Sequence, residues 1–273
     1  MKNILLLITI IISSIAIAEE KIDVIEQYEI RSYSPQKNGV NDLVFEARLD
    51  NLTEQLSNNL ILGKLVDVSF KIYWISPSQY KIEVQGLPKG FLEIKAGLIS
   101  IIKTKLEFIL PEKFSEKFKD YTLKAEAIAD GKLIHAVDAT YTMAVPEIDI
   151  VIDKTGQLKT VVTRAPMSAV KTEFIHTPKS WSSNKLVLDK IILTSSQGLV
   201  NFKTTNSLDY ININGIGFPE KVVVETVTEV IVPATAKEKE KRVKNEEVAS
   251  FHFTKYEVNT GKAQRYMHEG IQR

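Results

Sequence analysis

With no cysteine in the chain, a transition-metal site would have to be built from carboxylates and four histidines, His135, His176, His252 and His268. They are dispersed singly, and none forms the H-x-H or H-E-x-x-H spacing that brings two imidazoles onto one ion. His176 and His252 fall inside alternating patterns and read as ordinary strand residues. Carboxylates are plentiful, but Glu46 and Glu83 occupy the polar side of strands, where a charged group stays in water. No acid pair is identified from spacing as a hydrolytic couple. The G-x-S-x-G elbow of serine hydrolases is missing, as are phosphate-cradling glycine loops. Asn51-Leu52-Thr53 is a glycosylation sequon only in a host that glycosylates.

One set of fragments imitates an acyl-transfer site. Ser100-Ile101-Ile102-Lys103 and Ser168-Ala169-Val170-Lys171 both spell S-x-x-K, Ser182-Ser183-Asn184 approximates S-x-N, and Lys154-Thr155-Gly156 spells K-T-G. In penicillin-binding enzymes the K-T-G comes last, whereas here it precedes Ser168 and Ser182, and the later Asn259-Thr260-Gly261 lacks the lysine. Ser100 also falls on the polar side of a helical pattern. No catalytic residue, metal ligand or cofactor is expected, and the chain does not read as an enzyme.

The elements available to position any site are mostly strands. Leu43, Phe45, Ala47 and Leu49 alternate with Val44, Glu46 and Arg48, the pattern of a strand with one buried face. Val68 to Trp74 and Tyr80 to Gln85 repeat it across a turn at Ser76-Pro77-Ser78. From Phe91 to Ile109 the period changes to that of a helix: Phe91, Ile94, Leu98, Ile101, Ile102, Leu106 and Ile109 form a broad apolar stripe opposite Glu93, Ser100, Lys103, Thr104 and Glu107. Pro111 ends this helix and starts a shorter one over Glu112 to Lys119.

Strands resume after Tyr121. Asp130-Gly131 predicts a tight hairpin between Leu123–Ala129 and Lys132–Ala139, and Lys154-Thr155-Gly156-Gln157 another between Ile148–Ile152 and Leu158–Thr163. Further strands are expected at Val170–Thr177, Lys185–Thr194, Leu199–Thr204, Tyr210–Asn214, Lys221–Val232 and Val248–Val258. Lys237 to Glu247, with five bases and four acids, reads as the solvated tip of a hairpin. Hairpin-linked strands imply an antiparallel sheet rather than βαβ crossovers.

Residues 1–18 have the form of a secretory signal: Lys2, an apolar run from Ile4 to Ile12, and the small-x-small site Ala16-Ile17-Ala18, with Glu19 opening the mature chain. The alternative is an uncleaved anchor, but Ile4 to Ala18 is 15 residues, and a bilayer span needs about 20. Of 273 residues, 255 then remain, enough for one large β-rich domain or two small ones; residues 19–273 are read as one, with a charged hairpin tip at 233–247. Removal of Lys2 balances the 34 remaining bases against 34 acids, which leaves no basic footprint for nucleic acid. A secreted chain without disulfides is held by its core.

Phe45-Glu46-Ala47-Arg48, Gly63 followed by Val68 to Trp74, Pro77 with Tyr80-Lys81-Ile82, the Asp130-Gly131-Lys132 turn, and Gly217-Phe218-Pro219-Glu220-Lys221-Val222 followed by Phe251 to Asn259 together resemble the LolA/LolB family of periplasmic lipoprotein carriers. The helix from Phe91 and the Lys237–Glu247 tip depart from that layout. The resemblance implies a mainly β (α+β) fold: a strongly curved antiparallel half-barrel sheet covered by one long and one or more short helices. It implies a periplasmic, non-enzymatic carrier of lipid or lipoprotein acyl chains, with Phe45, Phe70, Trp74, Ile82 and Phe174 as an apolar cavity wall. Phe91, Leu98 and Ile102 would lie on a lid helix. An envelope partner protein and peripheral membrane contact fit the same reading. The alternative is a structural or interaction module of the cell envelope whose core is filled by its own side chains.

Overall fold

The computed structural model describes residues 24–58, 61–140, 142–165, 168–233 and 241–269. The expected signal, residues 1–18, and residues 234–240 of the charged run lie outside these.

Alternation and turn chemistry produce one sheet. Twelve strands run β1 (Asp42–Leu49), β2 (Ser69–Ile75), β3 (Gln79–Gln85), β4 (Thr122–Ile128), β5 (Gly131–Val137), β6 (Glu147–Asp153), β7 (Leu158–Ala165), β8 (Ser168–Pro178), β9 (Leu186–Gln197), β10 (Val200–Ile213), β11 (Ile216–Val232) and β12 (Lys241–Val258). Their spatial order is β3-β2-β1-β12-β11-β10-β9-β8-β7-β6-β5-β4, so among the described residues β3 and β4 are the edges and the sheet is a half-barrel, not a closed one. Every pairing between these strands is antiparallel. From β4 to β12 each strand pairs with its successor, whereas β1 pairs with β12, joining Leu43 to Val258.

The helices are α1 (residues 24–31), α2 (Leu52–Ser57), α3 (Leu92–Ile109), α4 (Phe114–Lys117) and α5 (Lys262–Glu269). Along α3, Leu98, Ile102, Leu106 and Ile109 recur at helical spacing and are the residues it buries. Beneath them lies a cluster formed by Leu43, Phe45 and Ala47 of β1, Phe70, Ile72 and Trp74 of β2, Ile82 of β3, Phe218 and Val222 of β11 and Phe251 and Phe253 of β12. A second cluster occupies the other end of the sheet. There Val24 and Ile25 of α1 and Phe118 pack on Ile134, Ala136, Ile148, Ile150, Ile152 and Leu158. On the opposite face of β1 and β2, α5 lays Ala263, Tyr266 and Met267 against Val44, Tyr73 and Ile75, with the Tyr73 and Tyr266 rings stacked at 4.0 Å. Among the described residues no helix is long and apolar enough to cross a membrane.

Several sequence expectations are corrected in detail. Leu199–Thr204 and Tyr210–Asn214 belong to one continuous strand, β10, because Asn206 and Leu208 turn inward and are buried instead of breaking the ladder. The shorter helix after Pro111 contracts to Phe114–Lys117, and a Lys117–Glu107 ion pair ties it back to α3. Lys241–Glu247, expected at a hairpin tip, continue β12 and pair with Val232–Thr226 of β11. Helices α1, α2 and α5 have no counterpart in the sequence reading.

The stretch Asn214-Gly215-Ile216-Gly217-Phe218-Pro219 makes the β10–β11 hairpin. Asn214 and Gly215 both adopt positive φ, 52° and 85°, as a tight primed turn requires. Gly217 answers a different demand. A Cβ there would stand 2.1 Å from the Trp181 ring, so only hydrogen fits. Pro219, which has no N–H to give, faces Tyr210 beside a bulge at Asp209/Tyr210.

Candidate functional site

Inward-facing residues can be followed across the sheet from the pairing register. Phe174 of β8 faces Ile191 of β9, Ile191 faces Asn206 of β10, Asn206 faces Val224 of β11, and Val224 faces Ala249 of β12. The adjacent row runs Val161, Thr172, Leu193, Thr204, Thr226. The next runs Thr163, Val170, Ser195, Phe202, Thr228. Phe174 and Val161 lean on the second packed cluster and Val224 on the first, while Ile191, Leu193 and Phe202 belong to neither. Between its two packed ends the half-barrel therefore presents a lane of half-buried aliphatic, aromatic and threonine side chains.

Where this lane meets α3, the surface deepens into an open groove of about 610 Å³. One wall is sheet: Leu49 of β1, Val224 of β11, and Ala249 and Phe251 of β12. The other is the flank of α3, with Gly97, Ser100, Ile101, Thr104 and Lys105. The helix turns Leu98, Ile102 and Leu106 down into the core, so residues one step around, Gly97, Ile101 and Lys105, fall along this flank at i, i+4 spacing. Ile101 is 42% exposed for that reason, although it belongs to the apolar stripe. A Cβ on Gly97 would meet nothing within 4 Å, so its missing side chain widens the groove without a packing requirement.

The groove is carbon-lined apart from three polar groups. Thr104 Oγ1 donates to the Ile101 carbonyl at 2.7 Å and is locally satisfied. Ser100 faces solvent at the rim. Lys105 is half-buried, its Nζ 5.3 Å from the centre of the Phe251 ring and 5.6 Å from that of Phe108. Burial alone lowers its pKa, and no carboxylate among the described residues forms an ion pair with it.

One end of the lane is closed. The segment after α1 bridges toward β1, with Tyr33 N–H donating to Leu186 O at 2.9 Å. The Tyr33 hydroxyl receives the Gly217 N–H at 2.7 Å and donates to Gly217 O at 3.1 Å. Trp181 fills the angle between Tyr33 and Tyr210, with ring centres 4.9 and 5.7 Å away. Nearby, His176 is buried between Tyr28 and Phe174, and desolvation brings its pKa from 6.5 down to about 4.

The residues expected to wall a cavity separate into two places. Phe45, Phe70, Trp74 and Ile82 are 0–8% exposed and pack in one cluster with Leu98 and Ile102, sealed from solvent. Phe91 caps the start of α3 and leans on the same cluster. Phe174 lies apart, against the second cluster. Of the groove residues, the sequence marks Leu49 on a strand face, Ile101, Ser100 and Thr104 on the Phe91–Ile109 helix and Phe251 within the resemblance, but not Gly97, Lys105, Val224 or Ala249. A lysine one step from the apolar stripe, aligned with a glycine two turns earlier, is the signal that was available.

The fragments that imitate an acyl-transfer site do not converge on a shared element: Ser100 is on α3, Ser168 and Lys171 on β8, and Lys154 to Gly156 in the β6–β7 turn. No group of three or more His, Asp or Glu side chains among the described residues could hold a metal ion. Compared with protein-family models, with curated proteins and with solved structures, the chain matches none, so the reading of this site rests on its own geometry.

Proposed function

We propose that the protein is a non-enzymatic binder or carrier of lipid acyl chains, working in the periplasm after removal of residues 1–18. The observation that carries this reading is the open, carbon-lined groove beside α3, continuous with the half-buried apolar lane of the half-barrel. Its volume falls in the range of about 300–1,000 Å³ typical of small-molecule sites. A chain laid there needs no specific polar contact, since each CH₂ removed from water contributes about 0.8 kcal/mol. The LolA/LolB resemblance points the same way, and an acyl chain borne by a lipoprotein or by a membrane lipid meets the same requirement.

Native mass spectrometry of protein purified from its own cell envelope, followed by lipid extraction, tests this. The expected result is a co-purifying acyl lipid that is lost when Gly97→Leu fills the groove. Repeated recovery of the bare polypeptide mass with an empty extract would overturn the reading.

A second reading, an envelope interaction module with a self-filled core, draws support from the sealed cluster around Phe45 and Phe70. On that reading Gly97→Leu changes neither lipid content nor partner capture.

A further inference from the structure

Lys105 is the one feature of the groove that hydrocarbon binding does not explain. A half-buried ammonium loses hydration, and the structure returns only the faces of two aromatic rings, which offset part of that loss. Two other half-buried lysines do have acids beside them: Lys117 pairs with Glu107, and Lys179 with Asp189 at 2.7 Å. On the inward face of β12, two residues beyond Ala249, Glu247 accepts instead from Asn245 Nδ2 at 3.1 Å. Among the described residues the groove thus holds a cation with no carboxylate paired to it, beside a wall of carbon, and that combination is complementary to an aliphatic tail ending in a single negative charge.

Resting on the acyl-chain reading above, we propose that the groove takes a long-chain fatty acid, its carboxylate paired with Lys105 Nζ and its tail laid on Leu49, Val224, Ala249 and Phe251. A phosphate headgroup would call for more donors than one lysine, arginine above all, and no arginine among the described residues lines the groove. The volume matches a single small ligand.

The test titrates purified, delipidated protein by calorimetry with hexadecanoate and with its methyl ester, below the concentration at which either aggregates. Wild type is compared with Lys105→Met, Lys105→Arg and Gly97→Leu, each checked for an unchanged melting transition. Losing a charge-assisted contact should weaken the acid by about tenfold or more in Lys105→Met, while the ester changes by less than about twofold and Lys105→Arg keeps most of the acid's affinity. Gly97→Leu should weaken both. A carboxyl-labelled hexadecanoate should show its bound carboxyl pKa rising in Lys105→Met, which a merely structural lysine would not cause. If Lys105→Met leaves the acid unaffected, or weakens acid and ester alike, the pairing is wrong although acyl binding stands. A zwitterionic lysophospholipid that binds more tightly than the acid also overturns it. If neither acid nor ester binds the wild type, the pairing and the acyl-chain reading fall together.

Discussion

The β1–β3 end of the sheet and its β7–β10 middle carry the same inward alternation, yet one is sealed and the other is half-open. At the β1–β3 end α3 lies on the sheet, and Phe45, Ile72 and Ile102 are fully buried. In the middle, Ile191, Leu193 and Phe202 face inward at equivalent positions and belong to no packed cluster, with Phe202 38% exposed. The difference lies in what covers the strand, not in the strand. A period of two establishes which side chains share a face; whether the chain itself or something else occupies that face depends on where a helix happens to be long and apolar enough to lie.

The contrast can be broken most severely by truncation. Phe45→Ala removes a fully buried ring and should cost about 3–5 kcal/mol, while Leu193→Ala in the open lane should cost less than about 1 kcal/mol. Urea denaturation of the two variants checks this, and equal losses would mean that the lane is as tightly packed as the covered end. A smaller effect is expected from His176, which stacks on Phe174 at the boundary of the second cluster. Its folded pKa of about 4 lies below its unfolded 6.5, so its contribution is complete above pH 6.5 and disappears as pH falls toward 4, because the unfolded chain takes the proton first. Through that window stability should fall by on the order of 3 kcal/mol. His135, held up chiefly by its hydrogen bond with Asp149, works in the opposite sense, so the quantity to measure is the pH profile of wild type minus that of His176→Gln. Smaller still, Gly217→Ala forces the Trp181 ring away and should cost about 1–3 kcal/mol, read from its denaturation midpoint.

Much of the fold was legible because it rests on local chemistry. The Asp130-Gly131 and Lys154–Gln157 turns fall where expected, and β1, β2, β3 and α3 agree with their patterns to within a residue or two. What escaped depended on distant partners. Asn206-Ser207-Leu208-Asp209 looks like a loop until Val224 and Val222 are set opposite Asn206 and Leu208. Helix α5 offers only Ala263, Tyr266 and Met267 as an apolar stripe, too short to stand out without the face of Tyr73 beneath it. The groove was the least legible part: the stripe of α3 was visible, but which flank it leaves uncovered depends on the angle at which the helix crosses the sheet.

The pairing of the first strand with the last has a consequence for how the chain acquires this shape. Strands β4 to β12 can zip up hairpin by hairpin as they emerge, whereas β1 waits for residues 251–258 before it has a neighbour on that side. Closing so long a loop is entropically slow. The Phe45, Phe70 and Ile72 side chains are therefore left unsheltered by β12 until residues 251–258 come into place, so this firmly packed end of the sheet depends on a contact about two hundred residues away along the chain.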